Sequence, residues 1–492
     1  MSKKRYIIIT LLTSLLFLLI LPIINYKHNQ WRVLPKDYAY AYDDIAINKS
    51  YLKTAYLLEH LNRYDTLLFG SSRNAAFVET DIAPRAYNAY ADFCVVGQQL
   101  HMLKILLKHK MPLKEVWIAI NDFDIWKDPK DFEKDYSKRV YREDLKGKLD
   151  FYKLYLFKAL DNNDLKIAEG KYKLTLSNRI FRKNLDKEFK PELIKKEASL
   201  QAKGMKWRKK LTASAATLLG YQDTPESYRI DKTIQEIKEI KELCDNNHIK
   251  VNFFFYPTFY KTYLMYNQYK IEEFKRKLIK VTEFYDFYRL NKIAFDETKW
   301  NDTSHFVYSV GLNIIRAIRN KRDLVTKDNY KTVLKNERKN IALLLDKKLP
   351  IPYIMRFNGH IPLENMHTIY TFKDGNFTPN NQTKITLYTK EAKIESLGND
   401  PYILFAPIQA NSENVILHCE ITSESKTLFQ LFYKRNKKVN YNEHDSVKVW
   451  LYKGVNSFNL LIPSKWLQEQ FRIDPGQKKG VYHIKTLQIL SH

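Results

Sequence analysis

The stretch Asp65-Thr66-Leu67-Leu68-Phe69-Gly70-Ser71-Ser72-Arg73 decides how this chain folds. Its apolar run ends at a glycine, which predicts a short buried strand followed by a tight turn that carries two serines. Val95–Lys110 then repeats its leucines at helical spacing, and Glu115–Ile120 is a second apolar run of strand length. Strand, helix and strand in this order predict the start of a parallel α/β sheet.

The same alternation returns in the second half of the chain. We predict helices at Ile230–Cys244, Ile271–Lys280 and Gly311–Asn320, and strands at Val251–Tyr256 and Thr282–Tyr288. Helices cover both faces of such a parallel sheet, so we predict a three-layer α/β/α domain over residues 31–330. Functional side chains in these domains gather where the strands end.

Two segments depart from this alternation. About residues 131–225 are rich in Lys, Arg, Tyr and Glu and have helical patterns, for example at Arg182–Lys190 and Lys203–Lys210. They predict a helical insertion with a basic face, which is either solvated surface charge or a contact for a glycan or a lipid headgroup. A Lys-rich linker at about residues 331–350 leads to a C-terminal module over residues 351–492.

The C-terminal module has the pattern of an antiparallel β-sandwich, because short strand-like runs alternate with turn residues. The runs are Lys384–Tyr388, Tyr402–Phe405, Val415–His418, Leu428–Tyr433, Val447–Tyr452, Phe458–Ile462 and Tyr482–Leu490. The segment Phe471–Gly476, with Gly480 beyond it, resembles jelly-roll-like modules that are appended to bacterial surface-glycan enzymes.

The N-terminus predicts a membrane anchor. Tyr6–Tyr26 carries no charged side chain and is long enough, as a helix, to cross a hydrocarbon core of about 30 Å. Lys3, Lys4 and Arg5 precede it and favour a cytoplasmic N-terminus. A cleaved signal peptide is the alternative, although Leu21–Asn25 offers no small-x-small cleavage site. We therefore predict a single-pass signal anchor over residues 1–30, with the rest of the chain extracytoplasmic.

The excess of basic residues favours polyanionic neighbours. The chain has 82 Lys+Arg against 55 Asp+Glu, and the net charge of +27 suits acidic glycans, an anionic membrane surface or nucleic acid. Export from the cytoplasm argues against nucleic acid. The three cysteines, Cys94, Cys244 and Cys419, are too few for a disulfide framework and are expected to be buried packing residues. No Cys/His cluster has metal-ligand spacing, so we expect neither a metal site nor a cofactor.

The residues best suited to chemistry are Ser72, Asp302 and His305. A serine hydroxyl needs a base within hydrogen-bond reach, and the base needs a carboxylate that fixes its tautomer. Asp302 and His305 are three residues apart, so the carboxylate can meet imidazole Nδ1 and leave Nε2 free for a serine from another strand end. Taken singly, each residue also fits a helix cap, a turn or an ordinary surface histidine. Arg73 is expected to brace the loop or to meet a substrate anion.

These two motifs, in this order and context, resemble those of the SGNH (GDSL-like) esterase/acyltransferase superfamily. Leu67–Arg73 matches its first block, with Ser72 as the nucleophile, and Trp300–Phe306 followed by Gly311 matches its last block, which carries Asp-x-x-His. The resemblance covers roughly residues 60–322 apart from much of the insertion. Within the superfamily it is to membrane-anchored bacterial members, such as the D-alanine transfer protein of lipoteichoic acid synthesis.

The middle blocks match less well. The resemblance places the oxyanion asparagine at Asn121, directly after the strand that ends at Ile120, but the glycine that usually precedes it is missing. The other expected glycine is also absent, because the chain reads Ala91-Asp92-Phe93 at that point. The resemblance implies that the Asn121 side chain and the Ser72 backbone amide stabilise the oxyanion.

Together with the anchor, the basic surface and the β-module, the resemblance implies an extracytoplasmic serine acyltransferase that O-acetylates a surface polysaccharide through an acyl-Ser72 intermediate. A single span cannot carry an acyl group across the bilayer, so the resemblance also implies a membrane-bound O-acyltransferase as a partner. Two alternatives stay open. One is an envelope esterase that removes such groups, and the other is a non-catalytic glycan-binding scaffold with a decayed site.

Overall fold

The computed structural model describes residues 3–33, 40–42, 45, 47–133, 135–176, 185–202, 228–266, 268–337, 355–357, 366–412, 414–434 and 440–491. Its helices are α1 Lys3–His28, α2 Lys49–Glu59, α3 Glu79–Ile82, α4 Val96–Lys108, α5 Leu145–Phe157, α6 Asn162–Ala168, α7 Lys190–Ala202, α8 Ile230–Asn246, α9 Tyr260–Met265, α10 Gln268–Leu278, α11 Lys292–Phe295 and α12 Tyr308–Arg319. The strands that precede the C-terminal module are β1 Tyr40–Tyr42, β2 Thr66–Phe69, β3 Ala86–Asn88, β4 Glu115–Ile120, β5 Leu174–Leu176, β6 Lys250–Phe255, β7 Phe284–Asp286 and β8 Leu324–Val325. The predicted α/β alternation is confirmed, with element ends displaced by a few residues.

Six of these strands form one sheet in the order β3-β2-β4-β6-β7-β8. Neighbouring strands run parallel except β7 and β8, which pair antiparallel. The chain leaves β2 for β3 on one side of the sheet and then passes to β4 on the other side. The loops after β2 and β4 therefore diverge at the carboxyl edge of the sheet, at the kind of switch point where α/β sheets form a crevice.

The sheet is covered on both faces, as predicted. Leu67 and Phe69 of β2 lie in a core shared with α2, α4, α8 and α10. Leu68, which points to the opposite face, lies in a second core with α3 and α12. Cys94, Cys244 and Cys419 are free and buried, which confirms their predicted packing role.

The described part of the insertion is mainly helical and includes α5, α6 and α7. The predicted helix at Arg182–Lys190 is displaced: Leu185–Phe189 forms a single π-helical turn that runs into α7, and residues 182–184 lie outside the described part. The pattern at Lys203–Lys210 also falls outside it. A short antiparallel pair, β1 with β5, ties the insertion to the segment after α1. Sequence periodicity does not predict this pair, because each strand has only three residues.

The C-terminal module has two antiparallel sheets around one apolar core, as predicted. Its strands are β9 Met355–Phe357, β10 His367–Thr371, β11 Phe377–Pro379, β12 Thr383–Leu387, β13 Ala392–Ser396, β14 Ile403–Phe405, β15 Asn414–Ser423, β16 Thr427–Phe432, β17 Ser446–Leu451, β18 Gly454–Pro463, β19 Phe471–Asp474 and β20 Gly480–Ser491. Ile416, Leu461 and Leu490 lie in the core of the α/β domain, so the two domains pack together. Residues 330–337 of the predicted linker region are helical, and residues 338–350 lie outside the described part.

The N-terminal helix α1 is long and apolar enough to cross a membrane, and none of its most apolar 18-residue window is buried against the rest of the chain. Near its end, Asn25 is buried against the rest of the chain. The predicted apolar span is therefore confirmed as an exposed helix.

Candidate active site

The turn after β2 places Ser72 at the open edge of the sheet. Ser72–Ala76 forms a 3₁₀ helix directly after Gly70 and Ser71. A Cβ on Gly70 would lie 2.1 Å from the hydroxyl of Tyr256 and 2.9 Å from Ala119 Cβ, so only glycine fits. The Tyr256 hydroxyl accepts a hydrogen bond from Ser71 N at 3.1 Å and donates one to Asn74 Oδ1 at 2.6 Å. The residue after β6 thus fixes the turn after β2.

Ser72, His305 and Asp302 form a continuous hydrogen-bonded chain. Ser72 Oγ lies 2.8 Å from His305 Nε2, and His305 Nδ1 lies 2.7 Å from Asp302 Oδ2. With Nδ1–H donating to the carboxylate, Nε2 is the acceptor for the serine hydroxyl, which is the arrangement that a general base requires. Ser71 is only 2% exposed, and so the structure distinguishes Ser72 from its neighbour.

The loop that carries Asp302 and His305 is held by its own backbone. Asp302 Oδ1 accepts hydrogen bonds from the backbone N–H groups of Ser304 and His305, at 2.7 and 2.8 Å. Trp300 and Phe306 pair across the loop as an isolated β-bridge. Thr262 of α9 donates to the carbonyl of Thr303 at 2.7 Å. The imidazole is therefore presented to Ser72 by a loop with defined geometry.

The Asp302 carboxylate is kept ionised by its hydrogen bonds. Partial burial acts to raise its pKa, but the hydrogen bonds from the His305 ring and from two backbone amides outweigh this effect and lower the pKa. The side chains of His305 and Asp302 are 38% and 40% exposed. A substrate or water can therefore reach the imidazole directly from the crevice.

Gly311 allows α12, the helix that follows His305, to pack against the 3₁₀ helix that begins at Ser72. A Cβ at this position would lie 2.9 Å from the backbone carbonyl oxygen of Ala76, the last residue of the 3₁₀ helix. The glycine that trails the Asp-x-x-His motif thus has a packing role: it lets α12 and the Ser72 helix approach closely.

The insertion supports the same loop from outside. Glu197 of α7 accepts hydrogen bonds from Ser309 N at 2.9 Å and from Ser309 Oγ at 2.6 Å, in the first turn of α12. A carboxylate at this position satisfies a helix N-terminus that has no backbone acceptor of its own. Sequence reasoning missed this contact because Glu197 and Ser309 are 112 residues apart.

Arg73 and Asp122 join the two loops that border the crevice. Arg73 Nη2 lies 3.0 and 2.9 Å from the two carboxylate oxygens of Asp122, and both side chains are buried. The Arg73 guanidinium also lies 5.5 Å from the centre of the Tyr256 ring. Of the two roles expected for Arg73, the structure shows the brace.

Asn121 lies at the end of β4 and is fully buried. Its Nδ2 donates to the backbone carbonyl of Cys94 at 3.1 Å and to Asp124 Oδ2 at 3.0 Å, so both amide hydrogens are engaged within the protein. An inverted amide would set its oxygen against the Cys94 carbonyl, which supports the orientation given. The predicted oxyanion role of this side chain requires it to turn away from one of these acceptors.

Asp124 is a partner of Asn121 that sequence reasoning missed. Its Oδ2 accepts from Asn121 N at 2.6 Å, and its Oδ1 accepts from Val96 N at 2.8 Å, at the start of α4. Burial raises its pKa to about 7, although the hydrogen bonds from Asn121 and Val96 oppose this effect. Asp124 therefore ties the end of β4 to the loop before α4.

Residues 91–94, in the loop that follows β3, lie beside the turn that carries Ser72, because Ala91 N donates to Gly70 O at 3.1 Å. Within it, Phe93 has φ +55°, in the left-handed region that favours glycine. The backbone conformation that glycine adopts easily is thus present although the glycine is not. The Ser72 backbone N–H, at the first position of a 3₁₀ helix, has no acceptor within that helix and is the other oxyanion donor to consider.

Two aromatic rings form the rim of the crevice next to this loop. Phe93 is 53% exposed, and its ring centre lies 6.2 Å from that of Phe123. The Arg73 guanidinium lies 6.0 Å from the centre of the Phe123 ring, and Lys138 Nζ lies 4.9 Å from that of Phe93. The two rings therefore form a small aromatic surface on the loops that follow β3 and β4.

No family model matches this chain, and no curated protein matches it. Solved structures with some likeness include carbohydrate-binding modules and an adhesin domain. A family 29 carbohydrate-binding module from Piromyces equi has a TM-score of 0.21 at 8% identity, over 26% of this chain and 91% of that chain. The K3 adhesin domain of Lys-gingipain from Porphyromonas gingivalis gives 0.20 at 6% identity, over 26% and 100%. A family 35 module from Paenibacillus barcinonensis gives 0.16 at 11%, over 26% and 99%. Scores of this size carry no argument about what the chain binds.

Proposed function

We propose that this protein is a membrane-anchored serine acyltransferase of the SGNH type that O-acetylates a cell-surface polysaccharide. The observation that carries the proposal is the hydrogen-bonded chain from Ser72 through His305 to Asp302, at the carboxyl edge of a parallel sheet. These three groups are what a serine nucleophile requires. The proposal also agrees with three other features, which are the apolar N-terminal helix, the excess of basic residues and the β-sandwich module. All three are typical of proteins that act on glycans of the cell envelope.

The reaction proceeds by two displacements. His305 Nε2 takes the proton from Ser72 Oγ, which attacks the acyl carbonyl and forms a tetrahedral intermediate. His305 then gives the proton to the leaving group, whose bond to the acyl carbon breaks and leaves acyl-Ser72. An acceptor hydroxyl next loses its proton to His305 and attacks the ester. Collapse of the second intermediate returns the proton to Ser72 and releases the acylated acceptor.

Asp302 and the amide groups near Ser72 stabilise the charges that develop. The carboxylate faces the imidazolium that forms when His305 takes up the proton. The Ser72 N–H and the Asn121 amide are the donors for the oxyanion, once Asn121 turns from the Cys94 carbonyl.

An esterase of the same fold is the second candidate, and the exposure of His305 favours it. Water that reaches the imidazole can replace the sugar hydroxyl as the acceptor, and the product is then a free acid. The scaffold alternative has less support, because a decayed site has no reason to keep a serine, an imidazole and a carboxylate at hydrogen-bond distances.

The test uses the full chain in detergent with a chromogenic acetyl ester, with and without an added oligosaccharide. We expect release of the chromophore in both cases and O-acetylated sugar by NMR when the oligosaccharide is present. Ser72→Ala removes both signals, whereas Ser71→Ala, a change at the buried neighbour, keeps them. Free acetate as the sole product with every sugar tried supports the esterase, and turnover by Ser72→Ala contradicts both enzymatic candidates.

The aromatic rim formed by Phe93 and Phe123 is the proposed acceptor platform, because sugar rings stack on exposed aromatic faces. Phe93→Ala is expected to raise the KM for the oligosaccharide several-fold and to leave hydrolysis of the small acetyl ester unchanged. Steady-state kinetics of acyl transfer to the oligosaccharide and of ester hydrolysis measure the two effects. Leu387→Ala, an exposed apolar side chain on the distant β12, is the matched control. An equal loss of both reactions in Phe93→Ala contradicts the platform.

A further inference from the structure

Helix α5 has a buried face and, next to it, an exposed apolar face that has no partner in the described part of the chain. Phe151 and Tyr155 are buried in the core of the α/β domain. About 110° around the helix from them, an apolar stripe is exposed at spacings of four, three and four residues, which is one face of a helix. Its members, with their exposed fractions, are Leu145 at 72%, Leu149 at 44%, Tyr152 at 48% and Leu156 at 46%.

Lysines flank this stripe on both sides. At about 100° per residue, Lys146 and Lys153 project beside one edge of the stripe and Lys148 beside the other. All three are exposed. An apolar stripe bordered by lysines is the pattern of a helix that lies in the plane of a lipid interface, where the ammonium groups reach anionic headgroups.

The end of α1 fixes the position of α5. Asn25 Nδ2 donates to the last carbonyls of α5 and the following turn, Tyr155 O at 3.0 Å and Lys158 O at 2.9 Å. The Tyr155 hydroxyl donates to Asn29 Oδ1. These buried contacts satisfy a helix C-terminus and hold the extracytoplasmic end of the proposed span against α5.

A cluster around Asp164 completes this contact, which we call the α1–α5 junction together with Asn25 and Tyr155. His28 Nδ1 lies 2.9 Å from Asp164, Gln30 Nε2 lies 2.6 Å from it, and Lys158 Nζ lies 2.5 Å from it. Asp164 is buried. The residues that follow the apolar span are therefore bound to the insertion at several points, and α5 stays at the level where α1 leaves the membrane.

A cavity continues the apolar surface from α5 to α1. Its volume is about 1100 Å³, and its lining includes Ile23 and Tyr26 of α1, Leu58 of α2, and Tyr152 and Leu156 of α5. Tyr152 and Leu156 belong to both the stripe and the cavity lining, and Ile23 and Tyr26, which are 60% and 59% exposed, join the cavity to the span. The lining also contains the polar side chains of Glu59, His109, Glu143 and Lys148, so the cavity is apolar only in part.

We propose that α5 lies in the lipid–water interface of an anionic membrane, with its stripe among the acyl chains and with lipid tails in the cavity behind it. This inference rests on the proposed membrane anchoring and not on the proposed chemistry. Because buried hydrogen bonds join α1 to α5, the helix in the interface would fix the orientation of the Ser72 crevice relative to the bilayer.

The test measures depth in the membrane with nitroxide labels on the full chain in vesicles that contain anionic lipid. Cysteines are introduced one at a time in place of Leu149, Leu156, Leu18 and Leu387, since the three native cysteines are buried and will not react. Collision with oxygen, which partitions into lipid, is compared with collision with a water-soluble nickel chelate. We expect labels at Leu149 and Leu156 to lie roughly 5–10 Å below the headgroup level. The label at Leu18 is expected deep in the bilayer, and the label at Leu387 in water.

The outcomes separate this inference from the anchoring on which it rests. If the label at Leu18 collides only with the nickel chelate, the anchor itself is absent. If Leu18 is in lipid while Leu149 and Leu156 match Leu387, the interfacial position of α5 is refuted and the anchor stands. Protection of Leu149 and Leu156 from both reagents means that a protein covers the stripe, and this also overturns the inference.

Discussion

The described part of the chain contains two histidine–aspartate pairs that are alike in distance and opposite in surroundings. His305 Nδ1 lies 2.7 Å from Asp302, and the two side chains are 38% and 40% exposed. His28 Nδ1 lies 2.9 Å from Asp164, and those side chains are 12% and 3% exposed. The first pair borders the crevice at the sheet edge, and the second lies in the α1–α5 junction.

The two pairs differ in their third partner, and this partner sets what each pair can do chemically. Nε2 of His305 faces a serine hydroxyl and is open to solvent, so a proton can pass between serine, imidazole and substrate. Asp164 instead gathers His28, Gln30 and Lys158 in a buried cluster, where the charges join helices and no nucleophile is present among them. Sequence distance does not separate the two cases, but burial and partners do.

The largest expected effect comes from removing the base. His305→Gln should lower kcat for the acetyl ester by roughly 10³–10⁶-fold, because a serine hydroxyl without a base is a poor nucleophile. His28→Gln, the same change in the other pair, should leave kcat unchanged. Steady-state assays with the chromogenic ester measure kcat for both variants. Equal losses in the two variants would mean that His305 acts only through the fold.

Removal of the orienting carboxylate should have a smaller effect. Asp302→Asn is expected to lower kcat by up to about 10⁴-fold, because the amide does not fix the tautomer that leaves Nε2 as the acceptor. Asp164→Asn should not change kcat. A near-normal kcat in Asp302→Asn at neutral pH would show that the imidazole needs no carboxylate here.

Asn121 has both structural hydrogen bonds and a proposed catalytic role, and its substitution separates the two. Asn121→Ala should lower kcat by about 10²–10³-fold with little change in KM if the amide turns to the oxyanion. The thermal midpoint is measured alongside, since loss of the contacts with Cys94 and Asp124 also destabilises the loop. A lower midpoint with unchanged kcat would assign Asn121 to structure alone.

The smallest effect concerns stability and pH. Burial acts to raise the pKa of Asp164, but hydrogen bonds from Lys158, His28 and others lower it to about 2. A lowered pKa stabilises the fold above the ordinary value of 3.8, and this contribution is lost as the pH falls toward 2. Asp164→Asn should therefore cost roughly 1–2 kcal/mol at pH 7, and the gap to the wild type should close between roughly pH 5 and 2.

Denaturant unfolding at several pH values measures this gap. Asp161→Asn is the matched control, since Asp161 is a 45% exposed partner of the same Lys158 and asparagine preserves its helix cap. A gap in Asp164→Asn that is independent of pH would show that the carboxylate charge does not stabilise the junction.

The sequence was sufficient for the parts of the molecule that local patterns encode. The strand before Gly70, the helices of the α/β domain and the runs of the sandwich follow apolar periodicity, and the pairing of Ser72 with His305 follows from motifs at strand ends. The contacts that hold the site together were not predictable in this way. Tyr256 hydrogen-bonds to Ser71, which is 185 residues away in sequence, and Glu197 hydrogen-bonds to Ser309, which is 112 residues away.

Departures from familiar motifs were the hardest to interpret from sequence. Because the expected glycine near Phe93 is missing, the sequence did not predict the conformation of this loop. In the structure, the Phe93 backbone adopts the left-handed conformation, with φ +55°. The exposed stripe of α5 was also hidden, because helical periodicity alone does not say which face the fold covers. Both features depend on tertiary packing that a local pattern does not contain.

The most direct test of the central claim is to find where the acyl group resides during turnover. The full chain is mixed with the acetyl ester, quenched rapidly in acid and digested, and the acetylated residue is located by tandem mass spectrometry. The account predicts one acetyl group on Ser72 in the wild type and in Ser71→Ala, and none in Ser72→Ala. An acetyl group on any other residue in all three proteins, with turnover retained in Ser72→Ala, would contradict it.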